Sequence, residues 1–128
     1  MLLLLDTHIL LWASGQPGKL SRTARDLLND QANTLLFSAA SMWEITIKRS
    51  LNRADFKVES RVLLRGLKDH GYEELEIKSE HAVAIEQLPL LHRDPFDRLL
   101  IAQATVEGAT LVTADDNIAM YPGPIRKV

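Results

Sequence analysis

The sequence predicts an α/β fold, a three-layer α/β/α sandwich around a mostly parallel sheet of about five strands. Three observations lead to it. Leu2 to Leu5 and Thr34 to Phe37 are runs without polar alternation, the pattern of strands covered on both faces. Stretches with apolar residues at helical spacing separate these runs from each other and from a third β-rich run, Thr110 to Thr113. A chain of 128 residues, 46% hydrophobic and 25% charged, has the size and balance of one globular domain spanning residues 1–128. Right-handed crossovers between the strands then place helices on both faces of the sheet.

The first strand, Leu2 to Leu5, ends at Asp6. It is too short to cross a bilayer even when continued to Trp12, and no basic stretch precedes it, so neither a membrane span nor a signal peptide is expected. A helix follows over about His8 to Ala13, ended by the Gly15, Pro17, Gly18 cluster, and Ser21 caps a second helix that runs to about Asn29. After the strand Thr34 to Phe37, Ser38 to Ser41 opens a helix to about Arg49, with Met42, Trp43, Ile45 and Ile47 at apolar positions. A loop around Asn52 leads to a helix from about Glu59 to His70, closed by Gly71. Glu74 to Ile77 is a weaker strand, and the helix after it, Ser79 to Leu88, stops at Pro89. Asp94 is the N-cap and Pro95 the first turn of a helix reaching Gly108. The strand Thr110 to Thr113, a helical turn after Asp115 and Asp116, and an edge strand over Ile125 to Val128 complete the chain.

In such sheets a ligand site lies beyond the carboxyl ends of the strands, where strand order reverses. Asp6 follows the first strand directly, and Asp115 comes two residues after Thr113 at the end of a later one. Glu44 lies in the first turns of a helix leaving a strand, and Asp97 in the first turn of a helix feeding one, so all four acids belong to the same edge. Like charges gathered there repel, and a site made only of oxygen ligands suits Mg2+ or Mn2+ better than zinc or copper. The chain has no cysteine, which removes thiolate zinc and fits a reducing cytoplasm. One or two divalent ions would activate water against a phosphodiester, so hydrolytic phosphoryl transfer is the expected chemistry.

Each acid also has a structural explanation. Asp97 at a helix start favours the positive end of the dipole, and Glu44 stands three residues after Ser41 at capping-box spacing. Asp6 and Asp115 are candidate caps, and Asp116 competes with Asp115. Thr7 and Asp94 are supporting residues, Thr7 as a helix-start hydroxyl or a ligand to carboxylate or phosphate. His8 and His92 flank the acids but a metal-activated water needs no histidine base. Trp12 and Trp43, among apolar neighbours, are assigned to the core. The net charge of -2 averages an acidic pocket with bases such as Lys48, Arg49, Arg53, Arg93 and Arg98 and decides little. Of these, Lys48, Arg93 and Arg98 are candidates for holding phosphates or a partner protein.

The segments Leu5-Asp6-Thr7-His8, Ser38 to Ile45, Arg93 to Arg98 and Thr113-Ala114-Asp115 together resemble the PIN domains, and within them the VapC-type toxins of type II toxin–antitoxin pairs. The resemblance spans nearly the whole chain in order and spacing. It implies an endoribonuclease dependent on magnesium or manganese, with Asp6, Glu44, Asp97 and Asp115 as the metal-coordinating acids. It also implies a homodimer inhibited by a small antitoxin whose peptide arm enters the acidic groove. Two alternatives come from other classes: a magnesium-binding phosphoacceptor signalling domain, which needs acids after its first and third strands and a lysine after its last, and a catalytically silent PIN-like module whose pocket holds a partner's arginine.

Overall fold

A computed structural model describes all 128 residues. Five strands, β1 (Leu2–Leu5), β2 (Thr34–Ser38), β3 (Glu73–Leu75), β4 (Thr110–Thr113) and β5 (Ile125–Lys127), form one sheet in the order β3-β2-β1-β4-β5. Every pairing is parallel, so the expected "mostly parallel" sheet is parallel throughout. The strand order also departs from that of a phosphoacceptor domain, in which the second strand is the edge and the third lies beside the first. Here β3 lies outside β2 and β4 lies beside β1, which overturns that alternative.

The helices are α1 (Thr7–Gly15), α2 (Arg22–Asn29), α3 (Ala39–Ser50), α4 (Ser60–Asp69), α5 (Ser79–Ala84), α6 (Pro95–Glu107) and α7 (Asp116–Ala119). They cover the sheet on both sides. Leu3, Leu5, Phe37 and Val112 pack with Ile9, Leu10, Ala24, Ile45, Phe56, Leu63 and Leu67 on one face. Leu4, Leu36 and Leu111 pack with Ala40, Leu99 to Ile101, Ala104, Ile118 and Tyr121 on the other. Each fully buried leucine of β1 contributes about 2 kcal/mol of transfer free energy, and because both faces need such residues the strand reads as an unbroken apolar run.

Boundaries moved where capping, rather than apolar periodicity, sets them. α1 begins at Thr7 because Asp6 is its cap, and it continues to Gly15, past the expected Ala13. β3 is Glu73–Leu75 rather than Glu74 to Ile77, an edge strand with no apolar run to mark it. α5 ends at Ala84 and tightens into a 3₁₀ turn over Ile85–Gln87 before extended Leu88. α6 has the expected ends, with Asp94 accepting from the amides of Phe96 and Asp97, and Gly108 at φ 68°, a left-handed position that glycine takes without a Cβ penalty.

Candidate active site

Strand order reverses at β1, whose two neighbours lead to opposite edges of the sheet, so its carboxyl end and that of β4 flank the crevice. Asp6 stands at this point and is almost fully buried, at 4% exposure. Its Oδ1 accepts from the Ile9 amide at 2.9 Å, capping α1, and its Oδ2 accepts from the Thr113 hydroxyl at the end of β4. Burial raises the Asp6 carboxyl above the ordinary aspartate range, and nearby Asp115 adds to the rise. The two hydrogen bonds and His8 oppose it.

Glu44 is buried on α3 at 3% exposure. The true N-cap of α3 is Ser38, which accepts from the Ala40 amide, so Glu44 sits in the second turn and the capping-box explanation fails. Thr7 Oγ1 donates to Glu44 Oε1 at 2.6 Å and lies 3.0 Å from Ser41 Oγ. Lys48, one turn on, meets Glu44 Oε2 at 2.5 Å and approaches Asp94 at 3.9 Å. Thr7 therefore orients a site carboxylate instead of capping a helix, and Lys48 is the cation nearest the cluster.

Asp97, in the first turn of α6, receives a bond from His92 Nε2 at 3.1 Å. Its carboxyl is pushed up to about 7, first by burial and then by the charges of Asp94, Glu44 and Asp115, with only the His92 bond acting the other way. The Asp115 charge thus bears on both Asp6 and Asp97, while its own carboxylate caps α7 through the Asn117 amide at 2.8 Å. Asp116 turns away, exposed, and pairs with Lys127 of β5. The two neighbours therefore differ in surroundings, Asp115 beside the other acids and Asp116 beside Lys127.

Tyr121, a residue the sequence did not single out, fixes the approach to α6. Its hydroxyl accepts from the His92 amide and donates to the His92 carbonyl, both at 2.8 Å. Arg98 donates to the Pro89 carbonyl at 2.9 Å and to the Tyr121 hydroxyl at 3.1 Å, so it ties down this same loop, a structural use that does not match its candidacy for phosphates or a partner. Arg93 is exposed beside the site. Trp43 is corrected from core to surface: it is 57% exposed, with Phe96 edge-on at 5.2 Å. α3 buries its Ala40, Ser41, Glu44 and Ile45 stripe, which leaves Trp43 on the other side. Trp12 is half-buried and packs against the core as expected.

A second polar network was also missed. Ser38 Oγ donates to Gln103 Oε1 at 2.5 Å, and Gln103 Nε2 donates to the Glu76 carbonyl at 3.2 Å. Fully buried His81 accepts from the Lys78 amide at Nδ1, which leaves Nε2 to donate to Glu107 at 3.0 Å and holds that carboxyl below its usual range. His81 and Gln103 lie far apart in sequence and belong to no motif, so only the fold brings them together.

The donor set is carboxylate oxygen with one imidazole at its margin. Ligand atoms of His92, Asp94 and Asp97 all fall within 4.8 Å of one another, and burial together with neighbouring carboxylates disfavours the ionised form of Asp97. Such a site accommodates a hard divalent cation.

A parallel α/β protein with a carboxylate cluster at its switch point is the class that fold and site define. The chain belongs to the PIN-domain family, whose model matches residues 3–123. It is 29% identical over 121 residues to Ribonuclease VapC22 of Mycobacterium tuberculosis, across 94% of this chain and 92% of that one. Its fold is similar to a chain of VapBC2 from Rickettsia felis, solved bound to a DNA fragment from the promoter, with TM-score 0.75 and 19% identity over 100% of this chain and 99% of that one. It is also similar to a chain of DNA-bound VapBC from Salmonella typhimurium, with TM-score 0.64 and 16% identity over 99% and 98%.

Proposed function

We infer that the protein is an endoribonuclease dependent on a divalent metal, hydrolysing RNA phosphodiesters, and the toxin of a toxin–antitoxin pair. The observation that carries this reading is the convergence of four acids from four elements on one sheet edge, with Asp97 raised to about 7 first by burial and then by its carboxylate neighbours. The similarity to Ribonuclease VapC22 points to RNA as the substrate. The similarity to VapBC chains points to an antitoxin partner. The reading includes a single domain acting as a cytoplasmic homodimer, and no helix is long and apolar enough to cross a membrane.

Asp6, Asp97 and Asp115, with Glu44 directly or through water, are the residues that would hold one or two Mg2+ or Mn2+ ions. The chemistry supplied when the metal is bound is activation of water for in-line attack and neutralisation of charge on the phosphodiester, leaving a 5′-phosphate and a 3′-hydroxyl. The chain's own residues set the geometry. Thr113 and the Ile9 amide fix the two oxygens of Asp6, and Thr7 and Lys48 fix those of Glu44. Buried donors of this kind hold the carboxylates in place without reorganisation when substrate arrives. Asp94 supports the site by holding the first turn of α6 that carries Asp97.

Purified protein is expected to cleave single-stranded RNA in Mg2+ or Mn2+ and to stop in EDTA. Asp115→Asn should fall to background while Asp116→Asn keeps activity, since Asp116 faces Lys127 instead of the cluster. Equal loss in both variants would overturn the assignment of the fourth acid. Equal growth arrest on inducing the wild type and Asp97→Asn in bacteria would overturn the nuclease-toxin reading itself.

A further inference from the structure

The acid cluster repels a polyanion, so a nuclease built on it needs cations elsewhere to hold its substrate. One side of the site supplies them. Between the end of α3 and the start of α4 lies an open cleft of about 540 Å³ whose eight lining residues include Arg49, Arg53, Lys57, Asn52 and Ser60, with Phe56 the one hydrophobic member. Arg49, Arg53 and Lys57 are exposed, and none takes part in an ion pair or a side-chain hydrogen bond. The neighbouring acid, Asp55, is instead bonded to His8 at 2.9 Å. Three cations converge on one cleft with no anion of the protein among its lining residues.

The cleft is preformed. Asn52 adopts φ 57° after α3, and the Arg53 amide donates back to the Lys48 carbonyl while the Asn52 amide donates to that of Arg49, the paired bonds of a Schellman turn. Phe56, 1% exposed, anchors the returning chain in the core. The same Phe56 ring carries Lys48 Nζ 5.0 Å above its centroid, and that ammonium contacts Glu44. The cationic cleft and the acidic site therefore share a wall.

We propose that this cleft is a phosphate-binding subsite in which Arg49, Arg53 and Lys57 hold the backbone of single-stranded RNA on one side of the scissile bond. The proposal rests on the nuclease reading for its substrate class. RNA is favoured over an acidic peptide because the Phe56–Lys48–Glu44 contacts set the cleft beside the acid cluster, within reach of a strand held there, and because exposed guanidinium and ammonium groups with a single apolar neighbour suit phosphates better than a folded partner's side chains. Contacts of this kind position a strand without reading its bases.

The test is fluorescence anisotropy with a labelled single-stranded RNA oligonucleotide, in the Asp97→Asn background so that the RNA stays intact. Three phosphate contacts on a single strand carry a salt slope of about 2 in log Kd against log salt, and a weakening on the order of a hundredfold at 0.1 M salt. Replacing Arg49, Arg53 and Lys57 together by glutamine should flatten the slope and weaken binding by these amounts, whatever the RNA sequence. The pair Arg22→Gln and Arg25→Gln on α2, equally exposed, should change neither. A triple variant whose affinity and slope match this control pair overturns the proposal. So does a triple variant that binds RNA normally but loses affinity for a glutamate-rich peptide, which would assign the cleft to a protein partner. If the wild type cleaves no RNA yet the triple variant loses RNA binding, the nuclease reading fails and the cleft stands.

Discussion

Asp97→Asn should make the metal-free protein more stable at neutral and alkaline pH while abolishing cleavage. In the folded protein the Asp97 carboxyl is raised from 3.8 to about 7 by burial and by Asp94, Glu44 and Asp115. A rise of about 3 units corresponds to roughly 4 kcal/mol against the ionised form. Solvent reaches the open side of the site, where the Asp97 side chain is 14% exposed, and screening reduces this to about 2 kcal/mol. The sign follows from proton binding. The folded state holds this proton more tightly than the unfolded chain, so the stability it contributes is full below the ordinary aspartate value and is lost as pH rises through about 7. Asparagine cannot ionise and loses nothing over that window. Thermal melts in EDTA should therefore coincide for the two proteins below about pH 4 and diverge with rising pH. At pH 8 the asparagine variant should melt roughly 5–10 °C higher. Adding Mn2+ at pH 8 should raise the wild-type midpoint and leave the variant's nearly unchanged. A variant that melts at or below the wild type at pH 8, or a gap that does not depend on pH, would refute the reasoning.

Two further substitutions separate positioning from packing. Thr7→Val keeps the side-chain shape but removes the hydroxyl bonded to buried Glu44. It should cost about 1–3 kcal/mol and lower kcat for RNA cleavage, with Thr7→Ser restoring both, and wild-type kcat in the valine variant would show that Glu44 needs no such partner. Gln103→Leu strands the Ser38 hydroxyl and the Glu76 carbonyl, so its guanidinium midpoint should fall by an amount equivalent to about 1–3 kcal/mol while cleavage per folded molecule stays unchanged. A fall in activity without a fall in stability would move this network into the site.

Much of the fold was legible because the central strands must be apolar on both faces. Leu2 to Leu5 can serve only such a role, and the crossovers that follow put Asp6 and Asp115 at the switch point without any knowledge of side-chain contacts. Legibility failed where a residue's neighbours come from distant segments. The periodic Trp43 and Ile47 looked like a core stripe, yet α3 turns Ala40, Ser41 and Glu44 inward because its inner face helps to build the site. The Ser41-x-x-Glu44 spacing is real but irrelevant, since the chain enters α3 three residues earlier, at Ser38. β3 carries Glu73 and Glu74 on a short edge strand, where pairing with β2 overrides composition. Gln103 and Tyr121 give no local signal at all, and His81 only a helix-start contact with Lys78, because their other partners lie more than twenty residues away.

The structural and functional explanations of the acids, alternatives in the sequence, prove to be one arrangement in the fold. Asp6, Asp94 and Asp115 each cap a helix whose unpaired amides open onto the carboxyl edge of the sheet, and Asp97 lies within such a first turn. Those amides stabilise negative charge, so the fold can hold several carboxylates at one edge at a lower cost than solvent-free burial alone would impose. The compensation is incomplete, as the raised carboxyls of Asp6 and Asp97 show. A helix cap engages one carboxylate oxygen; Asp6 gives its second to the Thr113 hydroxyl, and for Asp94 the second lies toward Lys48. A divalent cation bound here would relieve the residual repulsion, so cap strength and metal affinity would be linked through the same carboxylates. Glu44 stands outside this scheme, with no helix start to support it, and it alone of the four acids is paired directly with a lysine. That difference identifies Glu44 as the acid whose charge is least available to a cation in the free protein.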